Sequence, residues 1–306
     1  MALIIELAAP IKGNTFQEKC KSSALKRSWL ARLTLNYELR KQRSTLVRSE
    51  HQGPLRVQRP FYPEEDGCCH TYILHPPGGM AVGDTLHITA ELNEGTSVLF
   101  TTPSAGKMYG TLSVDRDALM PQRQCVSLHV KNNAIAEWLP QETIVFDGAQ
   151  ARLDAEFHLQ ASGKLIAWDI VRLGRAASGE QFKTGSCRQK LSLFIDGRLH
   201  YHELNPMYAN SNKMQARWGL QAKNTLATMI ATVKLNRDQQ DQLVELLENY
   251  SDESCLWGLT QKDDLLIVRY LGNNILNCRN GLECLWAKLR PLMVDKCAVT
   301  PRIWNT

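Results

Sequence analysis

The sequence predicts a mainly β protein that carries a small α+β segment at its C-terminal end. Three observations predict this class: apolar and polar residues alternate over residues 54–204, turn-forming residues separate the alternating runs, and the pattern changes after Asn210. No helical periodicity interrupts the alternating region, which favours an all-β body. We therefore expect a basic leader over 1–28, an all-β body over 29–210, and an α+β segment over 211–306 that packs on the body.

Three runs in the predicted body alternate clearly, and each is typical of a half-buried strand. Their apolar positions are Leu86, Ile88, Ala90 and Leu92; Val126, Leu128 and Val130; and Ala151, Leu153, Ala155, Phe157 and Leu159. Residues 191–195 and 198–204 flank the dipeptide Asp196-Gly197, which readily takes the positive φ values of a tight turn. These two runs are predicted to form a β-hairpin.

The C-terminal segment has the pattern of a β-α-β-β-α unit. Its predicted elements are a strand at 225–233, a helix that begins after Asn236, strands at 255–259 and 265–271, and a helix at about 274–289. Asn236 is a favourable N-cap, because its side chain can accept a hydrogen bond from the first turn. Pro291 is predicted to end the second helix, since proline lacks the backbone N–H that a helix interior uses.

Composition and charge limit the classes of function. The 306 residues are 43% hydrophobic and 22% charged, which is typical of a globular protein and excludes a disordered chain. The formal net charge is +5, but residues 1–60 hold twelve Lys/Arg and four Asp/Glu, so their excess of +8 leaves −3 for the rest. The N-terminal fifth is therefore expected to attract an acidic surface.

Cysteine usage and hydropathy predict a cytoplasmic protein. Nine cysteines, an odd number without a C-x-x-C pair, are typical of reduced thiols in a chain of this length. The N-terminal residues resemble no signal peptide, and no run approaches the roughly 18 uncharged apolar residues that a membrane-spanning helix needs.

One segment is similar to a phosphate-binding loop but lacks two of its required residues. In the run 103–108, the first glycine of the motif is replaced by Thr101, and Met108 follows Gly106-Lys107 where Ser or Thr would bind Mg²⁺. A strand-to-turn junction is the better interpretation, and the chain is not expected to hydrolyse nucleotides itself.

Thiol and imidazole groups are concentrated at Cys68, Cys69, His70 and His75. These ligand types suit Zn, Ni or Cu, but the spacing matches no closed structural zinc pattern. Adjacent strand residues such as Cys69 and His70 point to opposite faces, so they can share one ion only where the backbone bends. A structural role is favoured over a tight metal site or a Cys–His catalytic pair.

Five carboxylates in or near the predicted body are of interest together. They are Asp84, Glu142, Asp169, Glu180 and Glu203. Each alone is typical of a turn or a surface charge. A buried carboxylate without a partner is costly, so several of them lining one interior would indicate a hydrated or cation-carrying cavity.

A series of motifs identifies a family. In order, they are Gly53-Pro54-Leu55-Arg56-Val57-Gln58-Arg59-Pro60-Phe61-Tyr62-Pro63-Glu64, Cys69-His70, Leu74-His75-Pro76-Pro77-Gly78-Gly79, Gly83-Asp84, Thr101-Thr102-Pro103, Gly106-Lys107, Tyr109, Glu137-Trp138-Leu139-Pro140-Gln141-Glu142-Thr143-Ile144, Leu173-Gly174-Arg175, Gly179-Glu180 and Pro301-Arg302-Ile303-Trp304. The chain from about residue 25 onward resembles the urease accessory protein UreD family, also called UreH. Met80 to Asp84, Met108, Gly110 and Cys68 depart from the usual pattern, which affects loop details and leaves the resemblance intact.

The resemblance implies a non-enzymatic maturation factor for the nickel enzyme urease, with a β-helix-like body. It implies binding to apo-urease and to UreF, which brings the GTPase UreG, without membrane or nucleic-acid partners. It also implies no tightly bound cofactor and a transient nickel ion that passes through an internal channel. On this basis Asp84, Asp169 and Glu203 are expected to line the channel, and Glu142 and Glu180 are weaker candidates. His75 and the Cys69-His70 pair are candidates for an intermediate station.

A conduit holds its ion weakly enough to release it, which carboxylates and carbonyls do better than clustered thiolates. Structural hydrogen bonds to glycine-rich corners are the alternative role of each carboxylate.

Two other classes of function stay open at this point. One is a basic nucleic-acid-binding β protein, for which aromatic stacking residues are sparse among the N-terminal charges. The other is a metal-dependent hydrolase built on His70 and His75.

Overall fold

The computed structural model describes residues 28–111 and 120–305. The strands in this part of the chain are β1 (Leu30–Arg40), β2 (Arg43–Gln52), β3 (Arg56–Val57), β4 (Cys69–Leu74), β5 (Thr85–Leu92), β6 (Ser97–Thr101), β7 (Gly106–Met108), β8 (Gln122–Val130), β9 (Ile135–Trp138), β10 (Thr143–Val145), β11 (Gln150–Leu159), β12 (Lys164–Leu173), β13 (Ser186–Ile195), β14 (Arg198–Tyr208), β15 (Thr225–Ala231), β16 (Leu256–Lys262) and β17 (Leu265–Gly272). The helices are α1 (Arg237–Glu248) and α2 (Ile275–Val294). Apart from Ser28, the predicted basic leader lies outside the described residues.

The strands form two mixed sheets. The first sheet has seven strands in the order β14-β13-β11-β8-β5-β1-β2. The second has ten: eight in the order β16-β17-β15-β12-β9-β6-β4-β3, then β10, which pairs with β12, and β7, which pairs with β10. From β4 to β13 the chain passes back and forth between the sheets, and β5, β8, β11 and β13 pair in parallel in the first while β4, β6, β9 and β12 do so in the second. The mainly β class is confirmed, whereas its β-helix-like character stays a prediction.

Two apolar cores follow from this arrangement. One lies between the sheets and includes Leu33, Ile88 and Phe157 of the first sheet and Phe100 and Trp138 of the second. The other lies between the outer face of the second sheet and the two helices; Ile166 and Val268 meet Leu282 and Trp286 there. Each sheet therefore buries one face of its alternating pattern in the intersheet core.

The predicted strands of the body are confirmed. Every apolar position of the three alternating runs is buried on the inner side of β5, β8 or β11. β13 and β14 form the predicted hairpin, and Asp196 (φ 47°) and Gly197 (φ 74°) take the left-handed conformation at its turn. The alternation was a reliable signal because one face of each strand packs in the core and the other does not.

The C-terminal segment contains the five predicted elements, with one correction. Asn236 caps α1 by accepting from the backbone N–H of Gln239. The prediction that Pro291 ends the second helix is wrong, because α2 continues to Val294 and ends where Asp295 turns left-handed. Pro291 removes the hydrogen bond to the Ala287 carbonyl, but α2 continues past it because Met293 packs in the outer core and the Asp295 N–H bonds to the Pro291 carbonyl. Neither described helix is long and apolar enough to span a membrane. The division into three units stays a prediction.

Candidate functional site

Polar side chains cross the interior between the two sheets. Gln189 on β13 donates from Nε2 to Oδ2 of Asp169 on β12 over 2.9 Å, and Thr228 on β15 donates to Oε1 of Glu203 on β14 over 3.3 Å. Both contacts join opposite sheets. Asn205 links them, because its Nδ2 donates to Gln189 Oε1 (3.4 Å) and to Glu203 Oε1 (2.8 Å). We call these five residues the intersheet polar strip.

The Glu203 end of the strip carries a positive charge. Arg269 on β17 places Nε 3.4 Å from Glu203 Oε1 and donates from Nη2 to the Tyr201 hydroxyl over 2.8 Å, and that hydroxyl in turn donates to Glu203. Burial by itself would raise the pKa of Glu203, but the Tyr201 hydrogen bond and the Arg269 charge outweigh it and lower the pKa. Glu203 is therefore held as a carboxylate.

At the other end of the strip, the pKa of Asp169 is raised, whereas that of Glu203 is lowered. Burial raises the pKa of the Asp169 carboxyl group; the Gln189 hydrogen bond opposes this shift, and the negative charge of Glu203 adds to it. No cation pairs with Asp169 among the described residues. The carboxyl group thus gains a proton more readily than an exposed aspartate, and a bound cation would compete with that proton.

Two adjacent cavities lie between the sheets, and the smaller one reaches the strip at Asp169. A cavity of about 450 Å³ opens beside β4 and β7, and a smaller one of about 50 Å³ is lined by Asp169. The two are adjacent because they share four lining residues, Ile88, Thr102, Gly106 and Gln124. The wall of the larger cavity is mainly apolar, with His75 and Lys107 as its ionisable side chains.

His75 and Asp84 lie near this larger cavity. Burial lowers the pKa of the His75 imidazole, and the negative charge of Asp84 partly opposes that shift. Asp84 accepts backbone hydrogen bonds from Trp29 (2.9 Å, Oδ1) and Ala81 (2.8 Å, Oδ2). Asp84 therefore ties two loops together, which is the structural role that the sequence left open.

Cys69 and His70 face opposite sides of β4, as the alternation predicts. Cys69 lies in the intersheet core, where its Sγ is 3.7 Å from the Thr71 hydroxyl and burial raises its thiol pKa. His70 is fully buried on the other side, and its Nε2 lies 2.6 Å from Glu64 Oε1. The two residues do not converge on one point, and His75 is joined to neither by a hydrogen bond.

The structure brings His70 together with Glu64 and Cys68 instead, with potential ligand atoms within 4.8 Å of one another. Arg290 of α2 already supplies positive charge there, because its Nη2 lies 2.7 Å from Glu64 Oε2 and 3.8 Å from Cys68 Sγ. Burial raises the pKa of the Cys68 thiol well above its usual value, which disfavours the thiolate that a metal requires. An arginine-centred charge cluster describes this group better than a metal centre.

The cluster continues to a second buried carboxylate. Arg290 Nε donates to Glu137 Oε1 over 3.0 Å, and the indole of Trp286 donates to the other oxygen. Burial raises the pKa of Glu137, while Arg290 and the Trp286 hydrogen bond oppose the shift. The ion pairs fasten α2 to β9 on the outer side of the second sheet, away from the polar strip.

Glu180 and Glu142, the weaker candidates, lie outside the strip. Glu180 forms an ion pair with Arg175 and accepts from the Asp147 backbone N–H, and the Arg175 hydrogen bond lowers its pKa. Glu142 follows β9; its Oε2 is buried without a hydrogen-bond partner among the described residues, and it lies near Cys278 of α2. The metal-binding assignment of all eight candidate residues stays a prediction.

The sequence reasoning missed the partners of Asp169 and Glu203. These are Gln189, Tyr201, Asn205, Thr228 and Arg269. A signal was present, because polar residues at inward positions of an alternating strand interrupt an otherwise apolar face. Gln189 lies between the inward Cys187 and Leu191 in this way.

Comparison with known proteins gives consistent matches over nearly the whole chain. A family model described as "UreD urease accessory protein" matches residues 30–305. The chain is 50% identical over 281 residues to the urease accessory protein UreD of Saccharophagus degradans, which covers 92% of this chain and 94% of that protein. It is 38% identical over 286 residues to the protein of the same name from Nitrosococcus oceani, with 94% and 93% covered. The corresponding protein of Pseudomonas savastanoi is 39% identical over 280 residues, with 91% and 96% covered.

Proposed function

Because the chain belongs to the UreD family of urease accessory proteins, which are non-catalytic factors in urease maturation, we propose that it conveys nickel to urease between its two sheets. The ion would enter at the larger cavity, pass the smaller one beside Asp169, and follow the intersheet polar strip to Glu203. The observation that carries the proposal is the strip itself, a row of hydrogen-bonded polar groups that joins the two sheets. Gln189 and Thr228 are buried, and the other three members of the strip are half-buried.

The donor chemistry of the strip suits a cation that must move on. Its oxygen donors are two carboxylates, two amides and one hydroxyl, which are hard ligands that hold Ni²⁺ less firmly than thiolates or clustered imidazoles do. The carboxylates occur singly, with Gln189 and Asn205 between them. Arg269 beside Glu203 reduces the net negative charge at that end, which favours release. Weak successive sites are what conduction requires.

Asp169 and Glu203 are the channel residues that this geometry supports best. His75 is proposed as a station in the larger cavity, where burial favours the neutral imidazole that can ligate a metal. Cys69, His70, Asp84, Glu142 and Glu180 each make or adjoin structural contacts, so we assign them no step of the path.

The proposal also covers the architecture of the body, the binding partners and the compartment. Strands that alternate between two sheets and pair in parallel support a β-helix-like body. We propose that the chain binds apo-urease and UreF, and UreG through UreF, in the cytoplasm, with nickel as a passing cargo. The eight described cysteines are free thiols, which suits a reducing compartment.

The test removes the two charges and preserves their shapes. Asp169→Asn and Glu203→Gln are combined, because each amide can keep hydrogen bonds with its neighbours. Glu91→Gln is the matched control, since Glu91 is a partly exposed carboxylate on the outer face of the first sheet. Urease is co-expressed with its accessory proteins and each variant, purified, and assayed for bound nickel and activity.

We expect the double variant to form the complex normally and to deliver less than half of the nickel delivered by the wild type. The control is expected to match the wild type in both. Equal nickel loading in the double variant would show that the strip does not carry the ion. A double variant that no longer joins the complex would assign these residues to assembly instead.

A further inference from the structure

One row of side chains on the outer face of the first sheet consists of three arginines. The strand register places Arg123 of β8 opposite Arg152 of β11, and Arg152 opposite Arg188 of β13. Neighbouring strands are about 4.8 Å apart, so the three side chains start within about 10 Å of one another. Like charges directly opposite each other destabilise a sheet, and this arginine row therefore favours an anion above it.

The protein itself neutralises only part of the positive charge of the arginine row. Asp154, on the same face, accepts from Arg123 Nε (3.1 Å) and from Arg188 Nη2 (3.0 Å), and its side chain is 5% exposed. Arg152 is exposed and makes no ion pair within residues 28–111 and 120–305. Arg188 Nε is buried without a hydrogen-bond partner in the same part of the chain. Three positive charges thus face one carboxylate.

The surroundings of the row favour a short protein segment over a long polyanion. Leu30 and Arg32 of β1 extend the same exposed face, and arginine beside apolar side chains is typical of protein–protein interfaces. Farther along the sheet the cations are paired, Lys190 with Glu156 (2.6 Å) and Lys131 with Glu91 (3.6 Å), which limits the uncompensated positive charge to the beginnings of the strands. A nucleic acid would need a longer basic track.

We propose that the arginine row, Arg123, Arg152 and Arg188, is a docking surface for a carboxylate-rich segment of a partner protein. The planar guanidinium fork of Arg152 can pair bidentately with one carboxylate, and the partly exposed side chains of Arg123 and Arg188 add positive charge beside it. The identity of the partner as a component of the urease maturation complex rests on the proposed function. The preference for carboxylates rests on the row alone.

The test reverses one charge. Arg152→Glu is compared with the wild type and with Arg198→Glu, an exposed residue at the β13–β14 turn. That turn lies seven residues beyond Arg188 on β13, or roughly 20 Å away. Binding to apo-urease and to UreF, each purified separately, is titrated at low and high NaCl, and a 20-base-pair DNA duplex is titrated in parallel.

We expect one of the two proteins to bind the Arg152→Glu variant about tenfold more weakly at low salt and with a smaller salt dependence. The Arg198→Glu variant is expected to bind within about twofold of the wild type. Unchanged affinity of Arg152→Glu for both proteins overturns the proposal. Row-dependent binding of the duplex with no loss for either protein overturns it in favour of nucleic acid.

Two further measurements distinguish a loss of docking from a loss of folding or of nickel delivery. Arg152→Gln, which removes the charge without reversing it, is expected to give an intermediate loss, and equal unfolding midpoints show that the variants fold. Nickel loading of urease is measured separately. If urease loads without this chain, the proposed function fails, while the binding titration still decides whether the row recognises a carboxylate-rich protein.

Discussion

Replacing Arg290 by methionine should destabilise the protein strongly, because the Arg290 guanidinium lies at the centre of the buried charge cluster and pairs with both of its carboxylates. Its side chain is 0% exposed, and its partners Glu137 and Glu64 are 1% and 6% exposed. The guanidinium makes contacts of 3.0 Å with Glu137, 2.7 and 2.9 Å with Glu64, and 2.5 Å with the Cys297 carbonyl. Arg290→Met leaves two carboxylates buried without that charge.

The expected loss is about 3–5 kcal/mol of the free energy of unfolding, the usual cost of breaking one partner from a buried pair. This is a large share of the roughly 5–15 kcal/mol that stabilises a typical protein. Glu137 should then take up a proton, since burial already raises its pKa and Arg290 is the main opposing charge. The loss should therefore be smaller at pH 5 than at pH 8.

Urea unfolding followed by circular dichroism measures this loss. The matched control is Arg237→Met, because the Arg237–Asp241 pair lies on the surface of α1 with side chains 84% and 59% exposed. The control should lose less than about 0.5 kcal/mol. A loss of under 1 kcal/mol in Arg290→Met, equal at both pH values, would show that the stability of the cluster does not depend on this charge.

Three further predictions concern the strip and α2. Asp169→Asn should be more stable than the wild type at pH 7. The pKa of Asp169 is raised in the folded protein, so the wild type loses stability as the pH rises above the unfolded pKa of about 3.9. In urea unfolding, the gain of the variant should therefore vanish below pH 4. Gly281→Ala should cost about 1–3 kcal/mol, since its Cβ would lie 2.6 Å from the ring of Trp257, and thermal unfolding measures this; a neutral result would mean that the ring moves aside. Pro291→Ala should add about 1 kcal/mol by restoring the hydrogen bond to the Ala287 carbonyl, and a lower urea midpoint would contradict that.

Much of the fold could be predicted from the sequence because local patterns determine it. The alternation in β5, β8 and β11 reflects one buried face, and Asp196-Gly197 specifies a tight turn. The order of strands in the sheets could not be predicted in this way. Parallel partners such as β8 and β11 are separated by other strands in the sequence, and alternation shows which face is buried without showing the neighbour.

Local sequence patterns also predicted part of the candidate site. Asp169 and Glu203 were found as carboxylates within strands, but their approach to each other depends on sheet packing. The Glu137–Arg290 pair spans 153 positions, so no local signal reveals it. Pro291 shows that a strong local signal can also fail. It removes only one hydrogen bond, and α2 continues past it because Met293 packs in the outer core.

The most direct test of the maturation account is the nickel content of urease made with and without this chain. Urease subunits and the remaining accessory proteins are co-expressed in both cases, and the purified enzyme is assayed for nickel per active site and for activity. We expect both to fall sharply when the chain is absent and to recover with the wild type, but not with the Asp169→Asn/Glu203→Gln variant. Urease that loads fully without the chain would contradict a role of this chain in maturation.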